Sequence, residues 1–481
     1  MRRRPGLGGA YRRLWTASAV STLGDGMYLA ALPLLAATLS RDPLAVSVVT
    51  VAGWLPWLLF ALPAGALVDR LDRRRVMWTV DAGRAAVVGA LTVAVVAGRA
   101  SIPLLAVAGF LVGAGQTLVE NAAQAMVVAV VGRDPRRLER ANGRLVASLT
   151  VGQQLAGPPL GSAAFAVAAW LPFLADAVSF GASASLVATI KGQFRPAGTP
   201  DPQTPATPDP QTPATPDPQT PATLDPQTPF PGPPNREGSP ARQQAAAVVH
   251  SPRSGRPLSG RPRSHRPRSD PPDWWSLWAE IGEGLRFLLG HRLLRAAVLL
   301  VSASNLAFMA GEAILVLFAT DELGLDDRGY GLLLAAAALG GLPGSLLAHR
   351  VAERVPPGPL IVGGVLAGAA TMACFGLATD PWLAGAAYAA IGFVWGVWNV
   401  TLLSLRQAIV PDRLMGRVVG AIRLIGFGSI PVGALLGGVV ARSLGLRAPF
   451  LLGAAVLAVA ALAAAPVVTT GAIKAARAEL S

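Results

Sequence analysis

One cysteine stands in the whole 481-residue chain, Cys374, and it lies inside an apolar run. An intramolecular disulfide is therefore excluded, as is a thiolate metal site, and cysteine usage carries no information on compartment. Histidine is nearly as scarce: the four residues at 250, 265, 291 and 349 match no zinc-ligand spacing. Charge is scarce too. Asp, Glu, Lys and Arg make up 14% of the residues, against about 25% in a soluble globular chain. No Gly-x-x-x-x-Gly-Lys-Ser/Thr loop is present, which argues against ATP as the energy source. No grouping of nucleophile and base suggests an enzyme.

Apolar residues and glycine are abundant instead, at 52% of the chain and 53 residues respectively. Long apolar stretches fall at 14–39, 44–68, 76–98, 102–130, 144–165, 168–190, 294–320, 330–348, 358–378, 382–404, 417–441 and 447–470. About 20 residues cross a hydrocarbon core, so an all-α integral membrane protein of twelve transmembrane helices is expected. Glycine at this frequency suits helices that pack closely in lipid. Met1-Arg2-Arg3-Arg4 before the first run could mimic a signal peptide, but 14–39 is too long for a signal core and reads as the first span.

A net charge of +14 would suit a nucleic-acid partner. The basic residues sit at span ends instead, so no such partner is expected. With the N-terminus placed inside, the cytoplasmic segments hold 34 of the 41 Lys and Arg, and the external loops hold five: Arg41, Arg99, Arg328, Arg442 and Arg447. That asymmetry predicts a cell-membrane protein with both termini cytoplasmic.

The chain divides into a six-span set at 1–190, a linker at 191–273, a surface helix at 274–293 and a second six-span set at 294–481. The linker repeats TPDPQTPA at Thr199–Ala206, Thr207–Ala214 and Thr215–Ala222 and then becomes rich in Arg, Pro and Ser. Such composition predicts a disordered cytoplasmic tether. Trp274, Trp275, Trp278, Ile281, Leu285, Leu288 and Leu289 recur at helical spacing, interrupted by Glu280, Glu283, Arg286 and Arg292. This predicts an amphipathic helix lying on the inner membrane surface, with the lipid bilayer as its partner.

Ionisable groups at membrane depth cost roughly 2.5–3.5 kcal/mol each on insertion scales, so they are functional candidates. Asp25, Asp81, Arg84, Glu120, Asp176, Glu312 and Arg423 fall inside the spans. Asp81 and Arg84 are three residues apart on one helix face and read as a structural pair that steadies the Asp69 loop, as part of a gating latch. A carboxylate in apolar surroundings favours its protonated form and can load and release a proton as access alternates. Trp395 and Trp398, beside Asn399, are candidates to line a cavity for a flat or greasy substrate. Trp54 and Trp57 read as interface anchors.

Two motifs go further. After the second span comes Gly65-Ala66-Leu67-Val68-Asp69-Arg70-Leu71-Asp72-Arg73-Arg74-Arg75, and the fifth span holds Gly157-Pro158-Pro159-Leu160-Gly161. Gly65 permits close helix contact, and Asp69 with Arg70, Arg73 and Arg74 can form a charge latch. Gly157 and Gly161 permit tight packing, while Pro158 kinks the helix. With Ser21–Gly26, Leu138–Arg144, Phe173–Phe180 and Pro411–Val418, these segments resemble the major facilitator superfamily, and within it the enterobactin-exporter and macrolide-efflux branch. The resemblance implies two pseudo-symmetric six-helix bundles around a central cavity. It implies a monomer without cofactors that exports a small organic molecule in exchange for protons. Spans one and four line the cavity in that superfamily, so Asp25 or Glu120 is the expected proton carrier, with Glu312 as the second-half candidate. Asp176 is a further candidate, and Arg423 is expected at a cytoplasmic gate. Uptake or lipid translocation by the same fold remains open, as does a non-transporting receptor that docks partners through the linker.

Overall fold

The structure is a computed structural model that describes residues 7–68, 71–132, 134–192, 194, 282, 286, 288–409 and 412–478. Contacts separate a body formed by 1–199 and 273–481 from the segment 200–272, which lies outside the described residues. The expected linker and surface helix fall largely outside them as well. So do Asp69 and Arg70, the surroundings of Gly65 and the side chain of Arg423.

Among the described residues every regular element is helical. In chain order these are α1 (Gly9–Leu39), α2 (Pro43–Val68), α3 (Arg73–Val96), α4 (Ile102–Val131), α5 (Pro135–Leu149), α6 (Gly157–Val167) and α7 (Leu171–Ala188). There follow α8 (Arg292–Glu312), α9 (Asp327–Arg354), α10 (Pro357–Leu377), α11 (Pro381–Ile409), α12 (Asp412–Leu444), α13 (Ala448–Ala464) and α14 (Thr470–Ala478). Short loops and polar caps set the boundaries. Asp72 accepts from the Arg75 amide at 3.0 Å, Asp134 from Arg136 at 2.9 Å and Asp326 from Gly329 at 2.8 Å, each satisfying an orphan amide of a first turn. Gly132 ends α4 at φ 82° and Gly445 follows α12 at φ 92°, backbone that side chains other than glycine rarely adopt.

Ten described helices are long and apolar enough to cross a membrane, against the twelve expected. The two departures have physical causes. The expected fifth span, 144–165, is a composite: α5 starts at Pro135, a π-helix covers Thr150–Ala156, and α6 resumes at Gly157. Pro158 and Pro159 have no amide hydrogen to donate to the preceding turn, and the ladder slips by one residue there. The other departure is α13, which is apolar throughout but only 17 residues long. The expected seventh span also breaks. Helix α8 ends at Glu312, and the chain continues through one turn at Leu315–Leu317 and a π-turn at Phe318–Glu322.

The helices repeat one neighbour pattern. In the first half α1 packs on α6 and α7, α3 on α4 and α7, and α2 on α4. In the second half α8 packs on α12 and α13, α10 on α11 and α13, and α9 on α11. Shifting from α1, α2, α3, α4, α6, α7 to α8, α9, α10, α11, α12, α13 converts one set into the other. The main contacts between the halves, α2 with α12 and α6 with α9, exchange under the same shift.

Small residues make these crossings possible. A Cβ on Gly340 or Gly344 of α9 would overlap the α11 backbone at Ala389 or Phe393, and one on Gly392 of α11 would overlap Ala337 of α9. Close approach of this kind replaces the hydrophobic drive that lipid removes. The outer surface is correspondingly apolar: Val167, Val93, Leu444 and Val459 are each about two-thirds or more exposed, at 73%, 67%, 67% and 66%. In water such a surface would aggregate; in a bilayer it is the solvated face.

Candidate functional site: a buried charge cluster and an aromatic cavity

Polar groups are concentrated inside the body in two places. The first lies between α1, α3 and α7. Arg84 of α3 donates from Nη2 to Oδ1 of Asp25 on α1 at 2.6 Å, and from Nη1 to Asp81 at 3.5 Å. Asp81 also accepts from the Ser183 hydroxyl of α7 at 2.7 Å. The guanidinium lies over the Phe180 ring, 3.8 Å from its centroid. Its aliphatic stem passes Gly115 of α4, where an added Cβ would come within 2.8 Å of Arg84 Cγ and Cδ. Asp176 sits one turn before Phe180 on α7 and lies against Gly24, the residue preceding Asp25. Ser179 donates to Asp176 Oδ1 at 3.3 Å.

All four charged groups are buried, with Asp25, Asp81, Arg84 and Asp176 at 7%, 1%, 3% and 0% exposure. Two carboxylates thus bond one guanidinium, and a third, Asp176, lies next to Gly24 without a bond to it. Oδ2 of Asp176 and the hydroxyl of Tyr28, a helical turn along from Asp25, have no hydrogen-bond partner. Burial without a partner is expensive for either group. Asp176 therefore lies in the packed interior of the first half. Sequence spacing captures the Asp81–Arg84 pair, but the shorter bond of Arg84 goes to Asp25.

Glu120 of α4 is half-buried and accepts from Gln116 Nε2, one turn earlier, at 2.7 Å. Arg74 donates to the Ala188 carbonyl at the end of α7 at 2.8 Å, while Asp72 caps α3 and also accepts from the Phe194 amide at 3.4 Å. The Arg73 amide reaches the Phe194 carbonyl at 3.5 Å. The described part of the expected latch thus ties the start of α3 to the end of α7.

In the fifth span a Cβ on Gly157 would overlap Gly26, and one on Gly161 would overlap the Met27 backbone, so α1 and α6 meet backbone to backbone. Pro158 is buried beside them. Gly433 and Gly437 of α12, just after Pro431, meet Leu306 and Ala310 of α8 in the same way. That counterpart is present in the sequence as Pro431-x-Gly433-x-x-x-Gly437, a spacing the resemblance did not flag.

The second polar place is in the other half. Glu312, the last residue of α8, accepts from the Tyr388 hydroxyl of α11 at 2.7 Å. It lines a mainly apolar cavity of about 590 Å3, open mouth included, walled by α8, α10, α11 and α13. Phe308 stacks on Trp395 at 5.8 Å and 13°, and Trp395 on Trp398 at 5.3 Å and 29°. Trp398 is 4% exposed, and its indole N–H has no acceptor. Asn399 does not join this lining: its side chain is exposed and donates back to the Trp395 carbonyl at 3.1 Å. Trp57 is no interface anchor either. It packs on Phe427 of α12 at 5.6 Å, in the contact between the halves, because position 57 falls mid-helix in α2.

Two ion pairs also bridge the halves at one end, Arg41 with Asp321 at 2.8 Å and Arg442 with Asp42 at 3.6 Å. In the sequence these residues read only as loop charges.

Apolar helices on the outside and polar groups held within define a multi-pass membrane protein built for transport rather than catalysis. The chain belongs to the Major Facilitator Superfamily, whose sequence pattern matches residues 14–433. It is 26% identical over 441 residues to the multidrug efflux pump Tap of Mycobacterium tuberculosis (strain ATCC 25618 / H37Rv), covering 90% of this chain and 88% of that protein. It is 24% identical over 433 residues to the multidrug efflux pump Tap of Mycolicibacterium fortuitum, covering 89% and 88%. The nucleoside transporter NupG superposes with a TM-score of 0.66 at 10% identity, over 95% of this chain and 98% of that one. A bacterial homologue of the iron transporter ferroportin in its inward-facing state gives 0.64 at 13% identity, over 95% and 98%.

Proposed function

We propose that this protein exports a small organic molecule by alternating access, driven by protons moving inward. The observation that carries the reading is the buried cluster of Asp25, Asp81, Asp176 and Arg84. Fully ionised it would hold two uncompensated negative charges in the interior of a membrane protein, which is costly. Binding protons removes that cost, and a change of access that rehydrates or separates the carboxylates releases them. Asp25 keeps its expected role, now as one member of a shared site with Asp176. Glu120 remains a second carrier on α4.

The repeated neighbour pattern supports two pseudo-symmetric six-helix bundles that rock about the contacts of α2 with α12 and α6 with α9. On this reading the composite α5–α6 and the short α13 complete the twelve spans. The basic-residue asymmetry supports cytoplasmic termini in the cell membrane. On that orientation the Arg41–Asp321 and Arg442–Asp42 bridges lie on the external face, where they join the two halves. The Asp69–Arg70–Arg73–Arg74 loop and Arg423 belong to the opposite, cytoplasmic closure. The names of the relatives, multidrug efflux pumps, favour outward movement of organic compounds. The protein works as a monomer.

The test is transport in inverted membrane vesicles carrying an imposed proton gradient. Adding an exported compound discharges the gradient with the intact chain. Asp25→Asn and Asp176→Asn each abolish the discharge while folded protein persists. Undiminished discharge in both, with Glu120→Gln inactive, would move the proton site to α4. No discharge with any of a panel of amphipathic compounds would overturn the export reading.

A further inference from the structure

The Glu312 cavity has the features of a binding site, and they specify a class of ligand. The cavity is concave and mainly apolar, with aromatic walls, as small-molecule sites are. Its one acidic group, Glu312, has no basic partner among the described residues. The Tyr388 hydroxyl donates to it at 2.7 Å and fixes its position in the wall. Phe308, Trp395 and Trp398 form a stacked series of rings beside it, faces that attract cations and flat π-systems.

We infer that this second-half cavity binds a flat aromatic monocation, with Glu312 neutralising its charge and the Phe308–Trp395–Trp398 series stacking on its rings. The inference deepens the proposed export, since it names the substrate class, but the site itself stands on geometry separate from the proton cluster. Acidic and zwitterionic aromatics are disfavoured, because a second negative group beside Glu312 would have no counter-charge. Neutral aromatics fit the walls but forgo the carboxylate. Met372, also in the lining, supplies an adaptable side chain that lets ring systems of different outline fit.

The experiment is equilibrium binding to the purified full chain in detergent, without any proton gradient, read by quenching of tryptophan fluorescence. The probes are N-methylquinolinium and its uncharged isostere 1-methylnaphthalene, which differ in charge and hardly in shape. The intact protein binds the cation at least tenfold more tightly. Glu312→Gln keeps a hydrogen-bonding partner for Tyr388, so the cavity survives, and the preference falls to within about twofold while affinity for the neutral probe is retained. Trp395→Leu weakens both probes together. Trp382→Leu, at a position 86% exposed on the outer surface, changes neither and controls for lost fluorescence. Equal affinity for the two probes in the intact chain, or a preference that survives Glu312→Gln, would overturn the inference. Because no gradient is involved, cation-selective binding in a protein that never discharges a gradient upholds this site while refuting export. Export without cation preference does the reverse.

Discussion

Replacing Arg84 by methionine is the perturbation with the most to say about the interior of the first half. Methionine keeps much of the stem that runs past Gly115 and removes only the charge and its bonds. Asp25 then loses its partner at 2.6 Å, and no other hydrogen bond to that carboxylate is present among the described residues. Asp81 keeps Ser183 but loses the guanidinium, and Phe180 loses the cation over its ring. Removing one partner of a buried pair costs about 3–5 kcal/mol, because the other is left uncompensated. Replacing the whole pair by neutral groups of similar volume costs far less. The double variant Asp25→Asn/Arg84→Met should therefore recover part of the loss, with a coupling of about 2–3 kcal/mol between the sites. Asp25→Asn alone should cost only about 1–2 kcal/mol, since Arg84 still has Asp81. The assay is unfolding in a fixed detergent, comparing the four proteins of the cycle by the midpoint and slope of their transitions. Strictly additive costs, or an Arg84→Met protein within 1 kcal/mol of the parent, would refute the view that this cluster is an interdependent electrostatic unit.

Other consequences are equally direct. Gly161→Leu must force α6 away from the Met27 backbone and should destabilise by about 1–3 kcal/mol or more, whereas Gly181→Leu, whose added Cβ meets nothing within 4 Å, should stay within about 0.5 kcal/mol. Yield of folded protein from detergent and its unfolding midpoint distinguish the two. Gly437→Leu should behave like Gly161→Leu, because the α8–α12 crossing repeats that of α1 and α6; a silent Gly437→Leu would break the correspondence between the halves. The bridging arginines are 60% and 61% exposed, so Arg41→Ala and Arg442→Ala should each change stability by no more than about 1 kcal/mol, with an effect that fades as salt is raised. A loss several times larger in either variant, persisting in high salt, would show that these bridges do more than join two solvated surfaces.

Hydropathy alone was enough to establish a membrane protein, because lipid requires some twenty apolar residues in a row wherever a helix crosses it. The same reasoning, with basic residues counted at the ends, yields the proposed orientation, and the Gly65–Arg75 and Gly157–Gly161 segments led to the superfamily whose pattern covers residues 14–433. Helical periodicity also paired Asp81 with Arg84, since residues three apart share a face in any helix. What periodicity cannot express is which face of one helix meets which face of another. Arg84 bonds Asp25 across 59 positions and Tyr388 bonds Glu312 across 76, and neither spacing carries any signal along the chain. Asn399 was a candidate on the same footing as Trp395, yet packing left it outside the aromatic cavity, while Asp176, far from Asp25 in the chain, was brought against Gly24 beside it. The break in the fifth span was legible as two prolines, but its form, a π-turn beside a glycine crossing, depends on the neighbour that fills the gap. Local composition decides where a helix lies in a bilayer; contacts between small residues on different helices decide which buried charges and rings come together.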